Sequence, residues 1–135
     1  MSLTIDQEQG RVPVTVLAIH GDLDYSNYLG VIEKVQELYQ AGTRQLLIDL
    51  VDVPFIGSSG LVALHAAVLV MAGKDAPDTE AGWQAFHDLG DGAPAGQSNV
   101  KLAGLQPRVE QMLQRTALLR FFETFDDRAS AIASF

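Results

Sequence analysis

The chain has 135 residues, a length that suits about one domain with one hydrophobic core. Apolar residues make up 47% of the sequence and charged residues 19%, which is typical of a packed globular domain and not of a disordered segment. The formal net charge of −8 disfavours binding to nucleic acid or anionic lipid, and the lack of cysteine excludes disulfides, thiolate metal sites and cysteine nucleophiles.

The beginning of the sequence has neither the basic segment nor the long apolar segment of a secretory signal. The most apolar run, Leu61 to Gly73, is interrupted by His65 and is shorter than the ~20 residues that cross a bilayer. We therefore expect a cytoplasmic protein without membrane insertion.

The first elements are predicted to be two strands and a helix. Leu3 to Glu8 alternates apolar and polar residues, the pattern of a half-exposed edge strand. Val14 to Ile19 is rich in β-branched residues and nearly all apolar, which indicates a central strand covered on both faces. Apolar residues then recur at helical spacing from Tyr25 to Gln40, and Asp24 or Ser26 is the expected N-cap.

The remainder of the chain repeats the order strand, loop, helix. The predicted elements are a strand over Gln45 to Leu50, an apolar helix that ends near Ala72, a strand over Asn99 to Gly104, a helix begun by Pro107, a short strand within Arg120 to Phe125, and a terminal helix capped by Asp126. The expected buried faces are Val109, Met112, Leu113 and Ala117 in the Pro107 helix, and Ala129, Ile132 and Ala133 in the terminal helix. This order predicts a mostly parallel α/β sheet of four or five strands with covering helices.

The segment from Asp75 to Ser98 differs from the rest of the chain. Its 24 residues include five acids, no base, four glycines and the only tryptophan. A loop of this length is uncommon in a compact domain, so the segment is either a poorly ordered insertion or a flap. In the second case Trp83, Phe86 and Leu89 would form one face of a short helix over Glu80 to Leu89.

The tetrapeptide Gly57-Ser58-Ser59-Gly60 is the most informative local motif, because it places two hydroxyls at a predicted helix start. The ordinary role of serine there is an N-cap. Nucleophilic catalysis is not supported, since the surrounding residues do not form the G-x-S-x-G elbow and no base can be assigned. Leu61 follows Gly60 where a phosphate-binding P-loop needs lysine.

Catalytic and metal sites are likewise not predicted. His20, His65 and His87 are far apart and lack the spacing of metal ligands. Asp22 and Asp24 are interpreted as turn and capping residues, because no cleft can be assigned in which they would act as an acid–base pair. We therefore expect neither an enzyme nor a cofactor.

Three stretches, taken in order, resemble the signature stretches of STAS domains, and of the bacterial anti-sigma-factor antagonists in particular. They are GDLDYSNY at 21–28, LLIDLVDVPFIGSSGLVAL at 46–64 and VKLAGLQPRVEQMLQRTAL at 100–118. The resemblance covers nearly the whole chain apart from 75–98. It implies a single STAS domain over 1–135, with an acidic insertion at 75–98 and an antiparallel N-terminal edge strand.

The resemblance also implies a function. Domains of this class bind an anti-sigma factor that is also a serine kinase, and phosphorylation of a serine at the start of the second helix abolishes the binding. The acceptor falls on Ser58, with Ser59 as the alternative. Together with proximity in the loops that precede the first and second predicted helices, the resemblance implies a partner surface bordered by Asp22, Asp24, Tyr25, Gly57, Ser59, Gly60 and Leu61.

One residue departs from the family pattern, since Gly57 stands where the family usually has Asp. The change removes a carboxylate beside the hydroxyl and allows a positive φ. Either Ser58 is still modified, or the switch has been lost and binding is constitutive.

Three alternatives stay open at this point. STAS domains also occur with transporters and lipid-trafficking ATPase complexes, so the chain could be an accessory subunit that binds an ATPase or a small ligand without a phosphoswitch. Acyl transfer through Ser58 would be a catalytic alternative. A homodimer is also compatible with the sequence.

Overall fold

The structure, a computed structural model, describes residues 2–72, 99–116 and 122–135. The strands are β1 (Ser2–Gln9), β2 (Pro13–His20), β3 (Leu46–Asp52), β4 (Val100–Ala103) and β5 (Glu123–Phe125). The helices of the described ranges are α1 (Tyr28–Gln40), α2 (Ser58–Met71), α3 (Pro107–Arg115) and α4 (Arg128–Ser134). The insertion predicted at 75–98, with its short helix, lies outside these ranges.

The five strands form one mixed sheet in the order β1-β2-β3-β4-β5. β1 pairs antiparallel with β2 through a tight turn, whereas each later strand pairs parallel with the strand before it. Parallel neighbours need a crossover, and α1 and α3 each follow one strand and precede the next. The predicted α/β fold with an antiparallel N-terminal edge strand is confirmed.

The two faces of the sheet are covered by different helices. Side chains alternate along each strand, so Leu17 and Ile48 pack with α1, α2 and α3, while Val16 and Leu47 pack with α4. Each of these four side chains is fully buried, and burial of one such side chain contributes about 1.5–3 kcal/mol. Burial on both faces explains why β2 and β3 are nearly continuous apolar runs, interrupted by Thr15 and Asp49.

Helix α2 is buried on nearly every side, which accounts for its all-round apolar sequence. The buried residues run from Gly60 to Met71 with the exception of half-buried Leu69. Ser58 in the first turn and Ala72 after the helix are exposed, and Ser59 is half-buried. The helix therefore presents its N-terminal end to solvent.

Helix α1 begins later than the sequence predicts, at Tyr28 instead of Tyr25. The predicted caps are wrong, because the N-cap residue is Asn27 and its side chain makes no capping bond. The Asp24 carboxylate instead accepts hydrogen bonds from the backbone N–H of Ser26 (2.9 Å) and from its hydroxyl (2.6 Å), and so closes a separate turn before the helix.

The terminal helix also differs from its prediction. Asp127, not Asp126, caps α4 by accepting a hydrogen bond of 2.7 Å from Ser130 N–H. The side that faces the sheet also differs, because Ala131 is buried against Val16 and Leu47, whereas Ala129 and Ala133 are exposed. Of the three residues expected to face inward, only Ile132 packs against the core.

The face predicted for the Pro107 helix is confirmed where it is described. Val109 and Leu113 of α3 are buried and Met112 packs against the same cluster, while Ala117 lies outside the described ranges.

Candidate functional site

Two loops meet at the edge of the sheet where β2 and β3 end. We call residues 21–27 the first loop and 53–57 the second loop. Leu23 of the first and Ile56 of the second form a parallel β-bridge. Leu23 N–H donates to Phe55 O at 3.1 Å, and Gly57 N–H donates to Leu23 O at 2.9 Å. These bonds join the two loops. As a result, the first turn of α2, which follows the second loop, lies beside Asp24.

Buried side chains support the two loops from the protein interior. Leu23 and Ile56 are fully buried, and Gly60 lies directly against both. A Cβ at Gly60 would stand 2.6 Å from Ile56 Cγ1 and 2.8 Å from Leu23 O, so glycine is required by close packing. Leu61 is also buried. Gly60 and Leu61, two residues of the expected partner surface, therefore support the loops from inside.

Ser58 lies at the first turn of α2 and is exposed, while Ser59 is half-buried. Within the described ranges, neither hydroxyl makes a hydrogen bond. The N-cap of α2 is Gly57, which has no side chain, so the capping role considered for serine does not apply here. Ser58 thus presents a hydroxyl that has no structural task, at the positive end of a helix.

Gly57 does not use the freedom that its sequence position suggested. Its φ of −89° and ψ of 178° are accessible to any residue, so the positive φ that glycine allows is not adopted. An added Cβ would come no closer than 3.7 Å to Phe55 Cε1 and 3.9 Å to Asp24. The site therefore has room for the Asp that the family usually carries.

The acidic residues of the first loop differ in their bonding. Asp22 is exposed, and in the described part of the chain its carboxylate has no hydrogen-bond partner. Asp24 is half-buried, and hydrogen bonds from the Ser26 hydroxyl and backbone N–H hold the pKa of Asp24 below its ordinary value. Asn27 adds bonds to Asp24 N–H (3.0 Å) and to Asp22 O (2.8 Å). The loop is thus ordered and carries two negative charges near Ser58.

Large apolar side chains are exposed in the two loops and at the start of α1. Tyr25 is 80% exposed, Leu29 47% and Phe55 42%. Leu29 lies in the first turn of α1, and Phe55 lies beside Gly57. Sequence reasoning identified Tyr25 but missed Leu29 and Phe55. The available sequence signal for Phe55 was its position directly after Pro54, in a loop that is too short to fold over the phenylalanine ring.

The chemistry needed for catalysis is not assembled around Ser58. No His or carboxylate in the described ranges bonds to its hydroxyl, as acyl transfer would require. His20 instead bonds to Asp52 through Nδ1 at 2.7 Å and to Thr4 through Nε2. His65 is buried in α2, where desolvation lowers its pKa, and His87 lies outside the described residues.

The described residues contain no group of three or more His, Cys, Asp or Glu side chains arranged to hold a metal ion. None of their helices combines the length and the hydropathy of a segment that crosses a bilayer.

The fold is similar to those of known regulatory and transport proteins. A Thermotoga maritima protein assigned as an anti-sigma factor antagonist superposes with a TM-score of 0.72 at 16% identity, covering 98% of this chain and 92% of the other. Bacillus SpoIIAA, an anti-sigma factor antagonist, superposes in its phosphorylated form with a TM-score of 0.57 at 13% identity, covering 98% of both chains. A sulfate transporter family protein from Wolinella succinogenes gives a TM-score of 0.53 at 18% identity, covering 90% of this chain and 83% of the other.

A comparison with curated protein sequences finds no match. A family model does match, however, and its description is the STAS domain. The match runs over residues 5–76, from β1 through the two joined loops to the end of α2. On this match and the confirmed sheet topology, the chain belongs to the STAS domain family.

Proposed function

We propose that this chain is an anti-sigma-factor antagonist, a binding module that captures an anti-sigma serine kinase and releases it when Ser58 is phosphorylated. The observation that carries the proposal is the exposed Ser58 hydroxyl, unbonded within the described residues, at the solvent-facing end of a buried helix. Ser59 is the second candidate, but it is half-buried. The proposal implies a cytoplasmic, non-enzymatic protein.

The host fold should tolerate the phosphate. Phosphorylation adds about 1.5 to 2 negative charges, and the start of a helix favours negative charge. No side chain caps α2, so its first N–H groups are available to a nearby anion. Ser58 is exposed, so the modified side chain can extend into solvent without displacing the core. The switch would therefore act on the surface and leave the sheet unchanged.

The partner should not tolerate the phosphate. A protein docked over Ser58 would also cover Tyr25 and Phe55, which are exposed and apolar. An apolar contact of this kind gives a new dianion no compensating charge, and burial of an unpaired charge costs several kcal/mol. Asp22 adds repulsion from the same surface. Release would then be electrostatic and steric, with little conformational change.

The test incubates this chain with ATP and the purified serine-kinase anti-sigma factor of the same organism. We expect one phosphate on the peptide that contains Ser58, abolished in Ser58→Ala and retained in Ser59→Ala. Ser58→Asp should bind the kinase at least tenfold more weakly than Ser58→Ala, with an unchanged melting temperature. Equal affinity of the two variants would disprove the switch, and a phosphate found only on Ser59 would move it by one residue.

A second candidate is an accessory subunit of a transporter or lipid-trafficking complex without a phosphoswitch. The similarity to the sulfate transporter family protein and the glycine at position 57 support it. If the chain takes up no phosphate from the kinase and instead copurifies with an ATPase subunit, this candidate replaces the first.

A further inference from the structure

The two edges of the sheet are very different. β5 is three residues long and packs against α4. β1 is eight residues long, and β2 is the one strand that pairs with it in the described ranges. β1 contains no Lys, Arg or Pro, and its pairing with β2 runs without a bulge from Ser2 to Gln9. β1 thus lacks the lysine, proline and bulge that often protect an edge strand, and its only charged residues are Asp6, which is paired with Arg128, and Glu8.

The direction of the β1 backbone groups follows from the neighbouring pairings. Thr15 N–H donates to Gln45 O, so Thr15 and the other odd-numbered residues of β2 point their backbone groups to β3. The even-numbered residues of β2 therefore bond to β1, and their partners there are Ser2, Thr4, Asp6 and Glu8. The backbone N–H and C=O groups that point away from the sheet belong to Leu3, Ile5, Gln7 and Gln9.

We propose that β1 pairs antiparallel with β1 of a second copy of this chain, in the register that places Ile5 opposite Ile5. This dimer would join the two five-stranded sheets into one continuous sheet. The proposal does not depend on the function proposed for Ser58, which lies on a different surface.

The register follows from charge and length. Outward-pointing residues must face one another, so a single residue of β1 lies on the two-fold axis. With Asp6 on the axis, two Asp6 side chains would stand directly opposite, and with Gln7 on the axis Asp6 would face Glu8; both arrangements are unfavourable. With Thr4 on the axis the strands overlap less. With Ile5 on the axis, Ser2 to Glu8 pair along their whole length without a like-charge pair.

Side chains support the same register. Ile5 is 38% exposed and lies on the face that carries Leu17, so two copies would cover each other's isoleucine. Asp6 would face Thr4 of the second copy, and its charge is already offset by Arg128 at 3.0 Å. The remaining acid, Glu8, would face Ser2. An apolar pair at the centre with neutral partners for both acids is the complementarity that self-association requires.

The first test is the molar mass of the wild-type chain by light scattering over a concentration series. We expect the mass to rise from 14.6 kDa towards twice that value. Higher salt should favour the dimer, because each copy carries a net charge of −8. Ile5→Lys should stay monomeric, since it places two ammonium groups opposite each other. A wild-type mass of 14.6 kDa at every concentration would refute the proposal.

The register is tested by cross-linking, because the chain has no cysteine of its own. Facing Cα atoms in the proposed pair would be about 5.5 Å apart, within the range for a disulfide. Ile5→Cys should therefore form a disulfide-linked dimer on mild oxidation. Gln7→Cys is the matched control, since its two copies would be about 13 Å apart. Cross-linking of Gln7→Cys as fast as Ile5→Cys would contradict the register, even if the chain is dimeric.

Discussion

Two polar regions of the molecule use charge in different ways. Beneath α4, Arg128 bonds to Asp49 at 2.9 Å and to Asp6 at 3.0 Å, and bonding to Asp49 is the main cause that raises the pKa of Arg128. At the candidate site, Asp22 and Ser58 are exposed and have no bonded partner among the described residues. The first region has its charges satisfied within the chain, whereas the second leaves polar groups available for another molecule.

Lys101 extends the first region. Its ammonium group donates to the C=O of Ser134 (3.0 Å) and to its hydroxyl (2.9 Å), and it lies 4.6 Å from the centre of the Phe135 ring. Lys101 is buried, so these contacts replace its hydration. We therefore expect the acids and bases that matter for stability to be those under α4, and the two-loop surface to vary in charge without unfolding the domain.

We expect the largest loss of stability from a substitution that disturbs the packing of the two loops, and not from one that changes their charge. Gly60→Ala places a methyl group 2.6 Å from Ile56 Cγ1 and 2.8 Å from Leu23 O. The overlap should cost about 1–3 kcal/mol of unfolding free energy and separate the two loops. Urea denaturation measures the loss, and proteolysis of the loops reports their separation.

Gly30→Ala is the matched control for this substitution. Gly30 lies in α1, and nothing stands within 4 Å of an added Cβ. Alanine is the better helix former there, so we expect a gain of about 0.5–1 kcal/mol. If both variants are stabilised, the loops are not packed as tightly as the geometry indicates.

The next effect compares a buried carboxylate with an exposed one, through the same substitution at two positions of β3. Asp49→Asn removes the buried charge that faces Arg128. We expect a loss of about 1–3 kcal/mol, less than for a fully buried pair because the Arg128 side chain is 35% exposed.

Asp52→Asn is the control, since the Asp52 side chain is 58% exposed and bonds to His20 near the surface. Its effect on thermal or urea unfolding should stay within about 0.5 kcal/mol. A larger loss at Asp52 than at Asp49 would reverse the assignment of the anchoring region.

The smallest effect concerns the start of α2. Gly57→Asp should be about 1 kcal/mol more stable than Gly57→Ala, because an Asp side chain can cap the free N–H groups and a methyl group cannot. The nearby Asp24, 3.9 Å from the added Cβ, should reduce this difference at low salt. Equal stability of Gly57→Asp and Gly57→Ala in high salt would show that other groups already bond to the N–H groups in the first turn of α2.

Much of this molecule was accessible from local sequence patterns. The alternation of Leu3 to Glu8, the apolar run of Val14 to Ile19 and the all-round apolar second helix predicted elements that the structure confirms. Element ends were less predictable, because Asp24, Ser26 and Asn27 are all plausible caps. Which of them acts depends on bonds of Asn27 to Asp22 O and Asp24 N–H, and these form only after the loop has closed.

The candidate site shows the same division. The exposure of Ser58 could be expected from its position at a helix start. Which residues pack against the second loop, which precedes Ser58, could not be expected. The bridge between Leu23 and Ile56 leaves Phe55 exposed and makes glycine indispensable at position 60. That bridge joins residues 33 positions apart in the chain, so no local pattern encodes it.

Local sequence patterns specify the strand and helix types, the family resemblance and the serine at the tip of α2, since periodicity and turn chemistry act between near neighbours. The packed fold specifies which charges are paired, which glycine is irreplaceable and which edge strand lacks a second partner within the described ranges. Those properties arise when distant segments meet, as Asp6, Asp49 and Arg128 do, and the free energy of such contacts depends on the burial that the whole fold creates.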